Sequence, residues 1–433
     1  MKPEIIISGT PYKDWLRCQR LRWWAHEAPS GPDGQRGWER VRMAIPLSTG
    51  GWCHAVAQGL LALAAGLDMS GWLKEVGLEG QQGVTSPSEV ISAARAGYLS
   101  EVALRGLDAE GTPLDETRVA HEQAALLEAF GWAFERVRVP ALLARYRVLS
   151  VEREEFTMLS GDVGLQGRVD AVLEDRADGN IFTWNLKTVS QPDDRWRAQW
   201  EVDQQIILEG LAIERRLGKK LTGALVEGFV KGPRVGANDD LKEVRNGGEA
   251  TQTIQRNRLL YGYKLDGNPP IQKADYDWEG TTRKGWHKFR VWEEQFPSVQ
   301  GTIKGLSVSG GPVPKVDLAI SPLAYWINWL PEEVVVAQFE LLEPIIRSDR
   351  AVESFTRQIV KQEQAIRTRR LIVENSEESE ADLDAYFPQD FHSCVYPGKC
   401  SMYAMCHEPG VSDDPAGSGL YQIKTLNHPQ EVD

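Results

Sequence analysis

The chain is poor in cysteine, and it has no apolar run long enough to cross a bilayer. Five cysteines among 433 residues are too few for the dense disulfide framework of a small secreted domain. No hydrophobic stretch reaches the roughly 18 residues of a membrane span, and the first residues lack the long apolar stretch of a signal peptide. We therefore expect a cytoplasmic protein with no membrane partner.

An excess of positive charge is also missing. The formal net charge is −13, which argues against a protein that is coated with nucleic acid through bulk electrostatics. A local basic groove is compatible with this total, since carboxylates gathered around a metal ion add to the acidic count. With 42% hydrophobic and 26% charged residues, the chain should be mostly globular and divide into two or three structural units.

The residue pattern changes several times along the chain and predicts an α/β protein. Five segments differ in composition. They are a helical region at 1–147, a β-rich core at 148–231, an insertion rich in aromatic and basic residues at 232–347, a long helix followed by a cysteine-rich region at 348–408, and a loosely ordered tail at 409–433.

The core segment has the turn residues and β-rich runs of a hairpin, followed by a helix and a further strand. We predict one long helix over 116–146 before the core and one helix over 199–216 within it. The predicted strands cover 148–156, 165–173, 181–187 and 221–230, with a hairpin turn at 176–180.

Two residues of the predicted hairpin are suited to metal and phosphate chemistry. Asp170 ends the run Gly167-Arg168-Val169-Asp170, and Lys187 lies on the next predicted strand. Adjacent antiparallel strands can bring both side chains to one edge of a sheet. Carboxylate oxygens hold Mg²⁺ or Mn²⁺, the metal activates water, and a lysine stabilises the developing charge. The pair therefore indicates metal-dependent hydrolysis of phosphodiester bonds.

Four cysteines lie near the two ends of the chain. Cys18 stands alone, whereas Cys394, Cys400 and Cys406 are separated by five residues in each gap. In a reducing compartment such thiols favour metal ligation, and this layout suits one metal centre or cluster held by both ends of the fold. A zinc site that also uses a flanking histidine is the alternative.

The order of these features resembles the PD-(D/E)XK nuclease superfamily, and within it the RecB-like exonuclease branch. Each feature is weak alone, but the ordered set is fairly specific. The matching features are Cys18; His54 in Gly51-Trp52-Cys53-His54; Asp170 in a Gly-x-x-Asp motif; Lys187 in Trp184-Asn185-Leu186-Lys187-Thr188, which is similar to (Asp/Glu)-x-Lys-Thr; Gln205, which begins a segment similar to a Gln-x-x-x-Tyr helix with Glu209 in place of the tyrosine; and Cys394, Cys400 and Cys406.

The resemblance implies a restriction-endonuclease-like mixed-sheet core flanked by helices, with a helical N-terminal part and a C-terminal region stapled by cysteines. It implies a DNA exonuclease that uses Mg²⁺ or Mn²⁺ on single strands or duplex ends, in recombination, repair or DNA processing in a bacterial or phage-infected cell. The implied catalytic residues are Asp170, Asn185, Lys187 and Gln205; the implied metal ligands are His54, Asp170 and Asn185; and the implied ligands of a 4Fe–4S cluster, or of Zn²⁺ in the alternative, are Cys18, Cys394, Cys400 and Cys406.

Asn185 departs from the motif, because the resemblance puts a carboxylate at this position. An amide offers an oxygen without charge, which should weaken the binding of Mg²⁺. Three interpretations stay open: an engineered exchange that inactivates the protein, a natural residue whose missing charge comes from Glu152 or Asp162, or a nuclease-like domain that binds DNA without cutting it.

One stretch of the insertion alternates cations with aromatic rings, as single-stranded nucleic acid sites do. Arg283, Lys284 and Trp286 belong to this stretch, and Lys231 follows the last core strand. We consider these four residues candidate DNA contacts. The competing interpretation is an amphipathic strand whose rings enter the core, with Lys231 in a simple turn.

Overall fold

The computed structural model describes residues 5–31, 35–77, 84–108, 116–161, 163–189, 192–231, 259, 307–308, 311–312, 322–329, 332–376, 379–395 and 399–424. The side chains of Glu152, Asp162, Arg283, Lys284 and Trp286 lie outside the described residues, so the interpretations built on them stay predictions.

A mixed sheet of six strands forms the centre of the described fold. The strands of the described chain are β1 (Ile5–Ile7), β2 (Trp38–Arg40), β3 (Met43–Ala44), β4 (Leu107–Asp108), β5 (Tyr146–Met158), β6 (Val163–Asp175), β7 (Ile181–Val189), β8 (Gly223–Val230), β9 (Ser307–Val308), β10 (Gly311–Pro312), β11 (Phe339–Leu341) and β12 (Tyr421–Ile423). In the central sheet the order is β1-β6-β7-β8-β11, and β5 pairs with the other edge of β6. The strand β6 is antiparallel to β5 and β7 but parallel to β1, and β7 is parallel to β8.

Helices cover both faces of this sheet. The α-helices of the described chain are α1 (Gly9–Arg17), α2 (Gln19–Arg22), α3 (Ile45–Ala65), α4 (Ser70–Glu75), α5 (Pro87–Arg105), α6 (Glu116–Ala133), α7 (Val139–Arg145), α8 (Asp194–Glu201), α9 (Gln204–Leu217), α10 (Pro322–Trp329), α11 (Glu332–Val336), α12 (Asp349–Glu374), α13 (Ser379–Tyr386) and α14 (Tyr403–His407). Helices α3, α5 and α6 share an apolar core with β7 and β8, while α1, α9 and α12 pack with β1 and β6. The predicted α/β class is therefore confirmed.

The period of two along β7 explains how one strand serves both layers. Phe182, Trp184 and Leu186 enter the core shared with α3 and α6. Thr183 instead lines a cavity together with residues of α9. Because helices cover the sheet on both sides, residues facing in either direction are buried, as in sheets of α/β proteins.

The strands of the core lie where the sequence predicts them, but two predicted helices are wrong in extent. The helix predicted over 199–216 is two helices, because the Asp203 side chain accepts a hydrogen bond from the Gln205 N–H at 2.8 Å and caps a new helix. The helix predicted over 116–146 passes through a π-turn at Phe134–Arg138. Pro140, in the first turn of α7, has no N–H with which to continue an α-helical ladder.

A strand near the C-terminal end of the described chain pairs with a strand from its N-terminal part. Within the segment predicted as a loose tail, Tyr421–Ile423 pairs with Trp38–Arg40, and Tyr421 is buried. Across the described residues, none of the helices combines the length and the apolar character that a bilayer crossing would need.

Candidate active site

The candidate site lies where the pairing of β6 with β7 ends. That pairing runs from Glu174–Ile181 to Ala171–Trp184, while β1 pairs with the other end of β6 at 163–165. Asp170 is the next residue of β6, and its Oδ2 accepts a hydrogen bond from the Leu186 N–H at 2.7 Å. At this point the backbone N–H of β7 therefore donates to a side-chain oxygen of β6. This hydrogen bond fixes the Asp170 carboxylate where the two strands separate.

Helix α3 brings an imidazole to this carboxylate. His54 Nδ1 lies 3.0 Å from Asp170 Oδ1. Gln58, one helical turn further on, donates to the same oxygen from its Nε2 at 3.4 Å. Residues four apart share one face of a helix, so this face of α3 points at the end of the β6–β7 ladder.

Lys187 of β7 contributes a cation to the same site. Its Nζ lies 5.6 Å from the centre of the Trp200 ring of α8. Burial alone would raise the pKa of the Asp170 carboxyl, but His54, Lys187 and the Leu186 N–H outweigh it and hold that pKa below its ordinary value. A carboxylate that stays ionised in a buried place is suited to bind a cation.

Helix α9 and helix α1 close the other side of the site. Lys13 Nζ donates to Gln205 Oε1 at 2.9 Å and forms an ion pair with Asp203 at 3.0 Å. Gln205 Nε2 in turn donates to Glu209 Oε1 at 2.6 Å. Burial raises the pKa of Glu209 to about 7, Lys187 opposes that rise and Asp170 adds to it. Glu209 therefore feels the same charges as Asp170.

Besides Nε1 of Trp200, two polar atoms of Asn185 and Glu209 are buried without a hydrogen-bond partner among the described residues. One is Nδ2 of Asn185, a residue that is 1% exposed. The other is Oε2 of Glu209, a residue that is 4% exposed. Because an unsatisfied buried polar group costs about 1–3 kcal/mol, both atoms call for an explanation.

The structure brings together His54, Asp170, Lys187 and Gln205 from the predicted set, with Asn185 on the strand between them. Lys231 interacts electrostatically with Cys53, the residue before His54 on α3, and burial lowers its pKa. Four residues of the site were not predicted to act there. They are Lys13, Gln58, Trp200 and Glu209. For Gln58 the spacing of four from His54 was an available signal.

The donors present suit a divalent cation, although they are not arranged as a coordination shell. No three His, Cys, Asp or Glu side chains in the described parts of the chain are placed to hold a metal ion together. His54 and Asp170 are hydrogen-bonded to each other instead, and metal binding would replace that bond. An imidazole nitrogen, a carboxylate and an unpartnered carboxylate oxygen are chemically appropriate ligands for Mn²⁺ or Mg²⁺.

The four cysteines of the predicted cluster interact with one another, although no three of them are placed to hold one metal ion in the described structure. The thiols of Cys394, Cys400 and Cys406 each interact electrostatically with Cys18, and none of the four forms a disulfide. Burial and the neighbouring thiols raise the pKa of Cys406 to about 12. Four thiols gathered without disulfides match a site whose metal would deprotonate them.

The surroundings of these thiols suit an anionic cluster. The Asp390 N–H donates to Cys18 Sγ at 3.4 Å, and hydrogen bonds to sulfur are a feature of iron–sulfur sites. Burial raises the pKa of Cys394 and of Cys406, and Arg17 opposes that rise at Cys394 while Arg20 opposes it at Cys406. His407 Nε2 lies 3.5 Å from Cys394 Sγ, so the zinc alternative also has a candidate ligand.

No protein-family model matches the chain, and no curated protein matches it.

Proposed function

We propose that this chain is a metal-dependent nuclease with a restriction-endonuclease-like core, of the PD-(D/E)XK type and its RecB-like branch. The observation that carries the proposal is the convergence of His54, Asp170 and Lys187 at the point where β6 and β7 part. These residues come from a helix and two strands, and their types match what phosphodiester hydrolysis requires.

In this proposal His54, Asp170 and the Asn185 oxygen hold Mg²⁺ or Mn²⁺. The bound ion would lower the pKa of a water molecule and neutralise charge on the phosphate. The Lys187 ammonium, held over the Trp200 ring, donates hydrogen bonds to a phosphate oxygen and stabilises the negative charge that develops there. Gln205, fixed between Lys13 and Glu209, orients the α9 side of the site.

The proposed substrate is DNA, cut from single strands or duplex ends during recombination, repair or processing. Lys13 and Lys187 lie over the same Trp200 ring, at 6.0 and 5.6 Å from its centre. The Trp200 ring is itself buried among Ile206, Ala224 and Val226, so it holds the two ammonium groups near each other, where they can contact the phosphates of a nucleic acid strand. They give a net-acidic protein a local cationic site.

The proposed 4Fe–4S cluster on Cys18, Cys394, Cys400 and Cys406 has a structural role. Protein prepared without oxygen should contain about four iron atoms per chain and absorb in the visible range, as expected for four-iron clusters. If the protein instead contains zinc in stoichiometric amount and no iron, the cluster proposal is wrong and the cysteines bind zinc.

The nuclease proposal is tested with anaerobically purified full-length protein on end-labelled single- and double-stranded DNA, with RNA for comparison, in Mn²⁺. We expect cleavage that Asp170→Asn and Lys187→Ala lower by at least about a hundredfold. Asp178→Asn, on the exposed hairpin turn, and Lys220→Ala, on the surface, are matched controls that should cut normally.

Asn185→Asp adds the second half of this test, because it restores the carboxylate that the resemblance expects. If both the natural chain and Asn185→Asp bind DNA but cut neither DNA nor RNA, the protein is a non-cutting nucleic acid-binding protein. Cleavage of RNA alone would move the proposal to RNA processing.

A further inference from the structure

We infer that Glu209 of α9 supplies the carboxylate that Asn185 lacks, with its unpartnered oxygen facing the divalent cation beside Asp170. This inference rests on the proposed function, since it names a further ligand of the same metal. It assigns the acidic role to a helix residue that replaces the aromatic residue of the sequence motif.

The pleat of β7 places Asn185 on the side of α9. Trp184 and Leu186 enter the core on the opposite face. Thr183 lines a cavity of about 510 Å³ together with Ile206 and Gly210 of α9. Because side chains alternate along a strand, Asn185 and Lys187 share the direction of Thr183, toward α9.

The helical period of α9 directs Glu209 back at the sheet. Ile206 and Ile213 are buried against β8 and β6 residues. Glu209 lies three residues after the first and four residues before the second, which is the spacing of one helix face. Its 4% exposure agrees with that placement. A carboxylate on this stripe stands among isoleucines, where ordinary packing would favour an apolar residue.

The carboxylate of Glu209 is only half satisfied. Gln205 donates to Oε1 at 2.6 Å, whereas Oε2 is buried with no hydrogen-bond partner in the described parts of the chain. Acidic side chains are almost never fully buried unless they are paired or bind a metal. Asp170 and Lys187 interact electrostatically with Glu209, so its carboxyl group lies within electrostatic range of the other charged residues of the proposed metal site.

The chemistry of the two positions is complementary. An amide at 185 brings an oxygen without charge, and Mg²⁺ or Mn²⁺ sites favour carboxylates. If Glu209 is a ligand, the site keeps two negative charges in total, one from β6 and one from α9. The strand position can then be neutral without loss of charge, and Asn185 is the natural residue of a working site.

The test measures Mn²⁺ binding by calorimetry on the full-length protein without DNA, next to cleavage. Glu209→Gln preserves size and removes only the charge, so we expect its Mn²⁺ dissociation constant to rise by about tenfold or more. Asn185→Asp in the Glu209→Gln background should recover most of the lost affinity, because it returns one carboxylate to the same ion. Glu201→Gln, on the exposed surface of α8, is the matched control and should bind Mn²⁺ normally.

Unchanged Mn²⁺ affinity in Glu209→Gln, or no recovery in the double variant, overturns the inference. Glu209→Asp covers the case in which Glu209→Gln disturbs folding: it keeps the charge but withdraws it, so intermediate affinity supports the inference and unchanged affinity opposes it. If Asp170→Asn loses Mn²⁺ and cleavage while Glu209→Gln loses neither, only this inference fails. If none of these variants changes Mn²⁺ binding and nothing is cut, the proposed function itself fails.

Discussion

At the scale of single residues, the buried side chains of Glu227 and Glu209 differ in how many of their carboxylate oxygens have a partner. Glu227 of β8 is fully buried, accepts a hydrogen bond from Trp184 Nε1 at 2.9 Å and is paired with Arg138. Glu209 has a partner for one oxygen only. The first is saturated within the protein and therefore supports the fold. The second retains an open oxygen, which is the property expected of a ligand.

Because Glu227 is buried and paired with Arg138, we expect removal of that arginine to have a large effect on stability. Arg138→Met would leave Glu227 buried without its cation, so we expect the free energy of unfolding to fall by about 3–5 kcal/mol. Urea denaturation measures this loss. Arg147→Met is the control, because Arg147 pairs with Glu174 at the surface, and exposed pairs contribute about 0–1 kcal/mol. Equal losses in the two variants would mean that the Glu227 pair is no stronger than a surface contact.

At the scale of elements, α1 connects the proposed metal site with the cysteines. Lys13, near its middle, contacts Gln205 and Asp203 of the α9 end. Cys18 follows directly after its last residue and receives the Asp390 N–H. One nine-residue helix therefore holds a cation of the proposed nuclease site near its middle and is followed at its C-terminal end by a thiol of the proposed cluster site.

This connection predicts that damage to the cluster lowers nuclease activity. Cys18→Ala should lose bound iron and reduce DNA cleavage by roughly tenfold, since α1 loses its anchor and Lys13 no longer fixes Gln205. Iron content and cleavage rate are measured on the same preparation. Cys53→Ala is the control, because Cys53 is buried in the core around α3 and should leave iron unchanged. Full cleavage by iron-free Cys18→Ala would show that the two sites are independent.

The elements also show what the sequence could predict. The strands β5 to β8 were predicted because each has a β-rich run bounded by turn residues, and the hairpin alone places Asp170 across from the strand of Lys187. Lys13 was missed because its contact with Gln205 joins residues 192 positions apart. No local pattern encodes such a contact. Glu209 was seen only as a departure from a motif, since burial of a helix carboxylate depends on the packing of α9 against the sheet.

At the scale of the whole molecule, buried ion pairs join the two ends of the chain. Arg22 binds both Glu27 and Glu363 of α12, at 2.6 and 2.9 Å, and Arg370 also reaches Glu27 at 3.1 Å. The cysteines and the β2–β12 pair join the same regions. If the proposed metal centre binds these cysteines, closing so long a loop would reduce the entropy of the unfolded chain and stabilise the fold by at most about 6 kcal/mol in the ideal-chain model. Both kinds of link connect the N-terminal part of the described chain to its C-terminal part.

His26 lies between these two parts of the chain, and its surroundings predict that stability depends on pH. Its Nε2 lies 2.7 Å from Asp14 of α1, and its Nδ1 lies 2.8 Å from Lys424 Nζ. Burial lowers the pKa of His26 to about 4, and this outweighs the opposite effect of Asp14. Below pH 6.5, His26 therefore binds a proton in the unfolded chain but not in the folded protein. The free energy of unfolding must then fall as the pH decreases.

The expected loss is confined to one pH range and depends on one residue. The free energy of unfolding should decrease by about 3 kcal/mol between pH 6.5 and pH 4 through His26, on top of the slope from other groups. His26→Gln should remove this component, so its denaturation curves vary less with pH than those of the natural chain at equal metal content. His121→Gln, on the exposed side of α6, serves as the control. If His26→Gln and His121→Gln follow the same slope, His26 is protonated in the folded protein, and the contact with Asp14 outweighs burial.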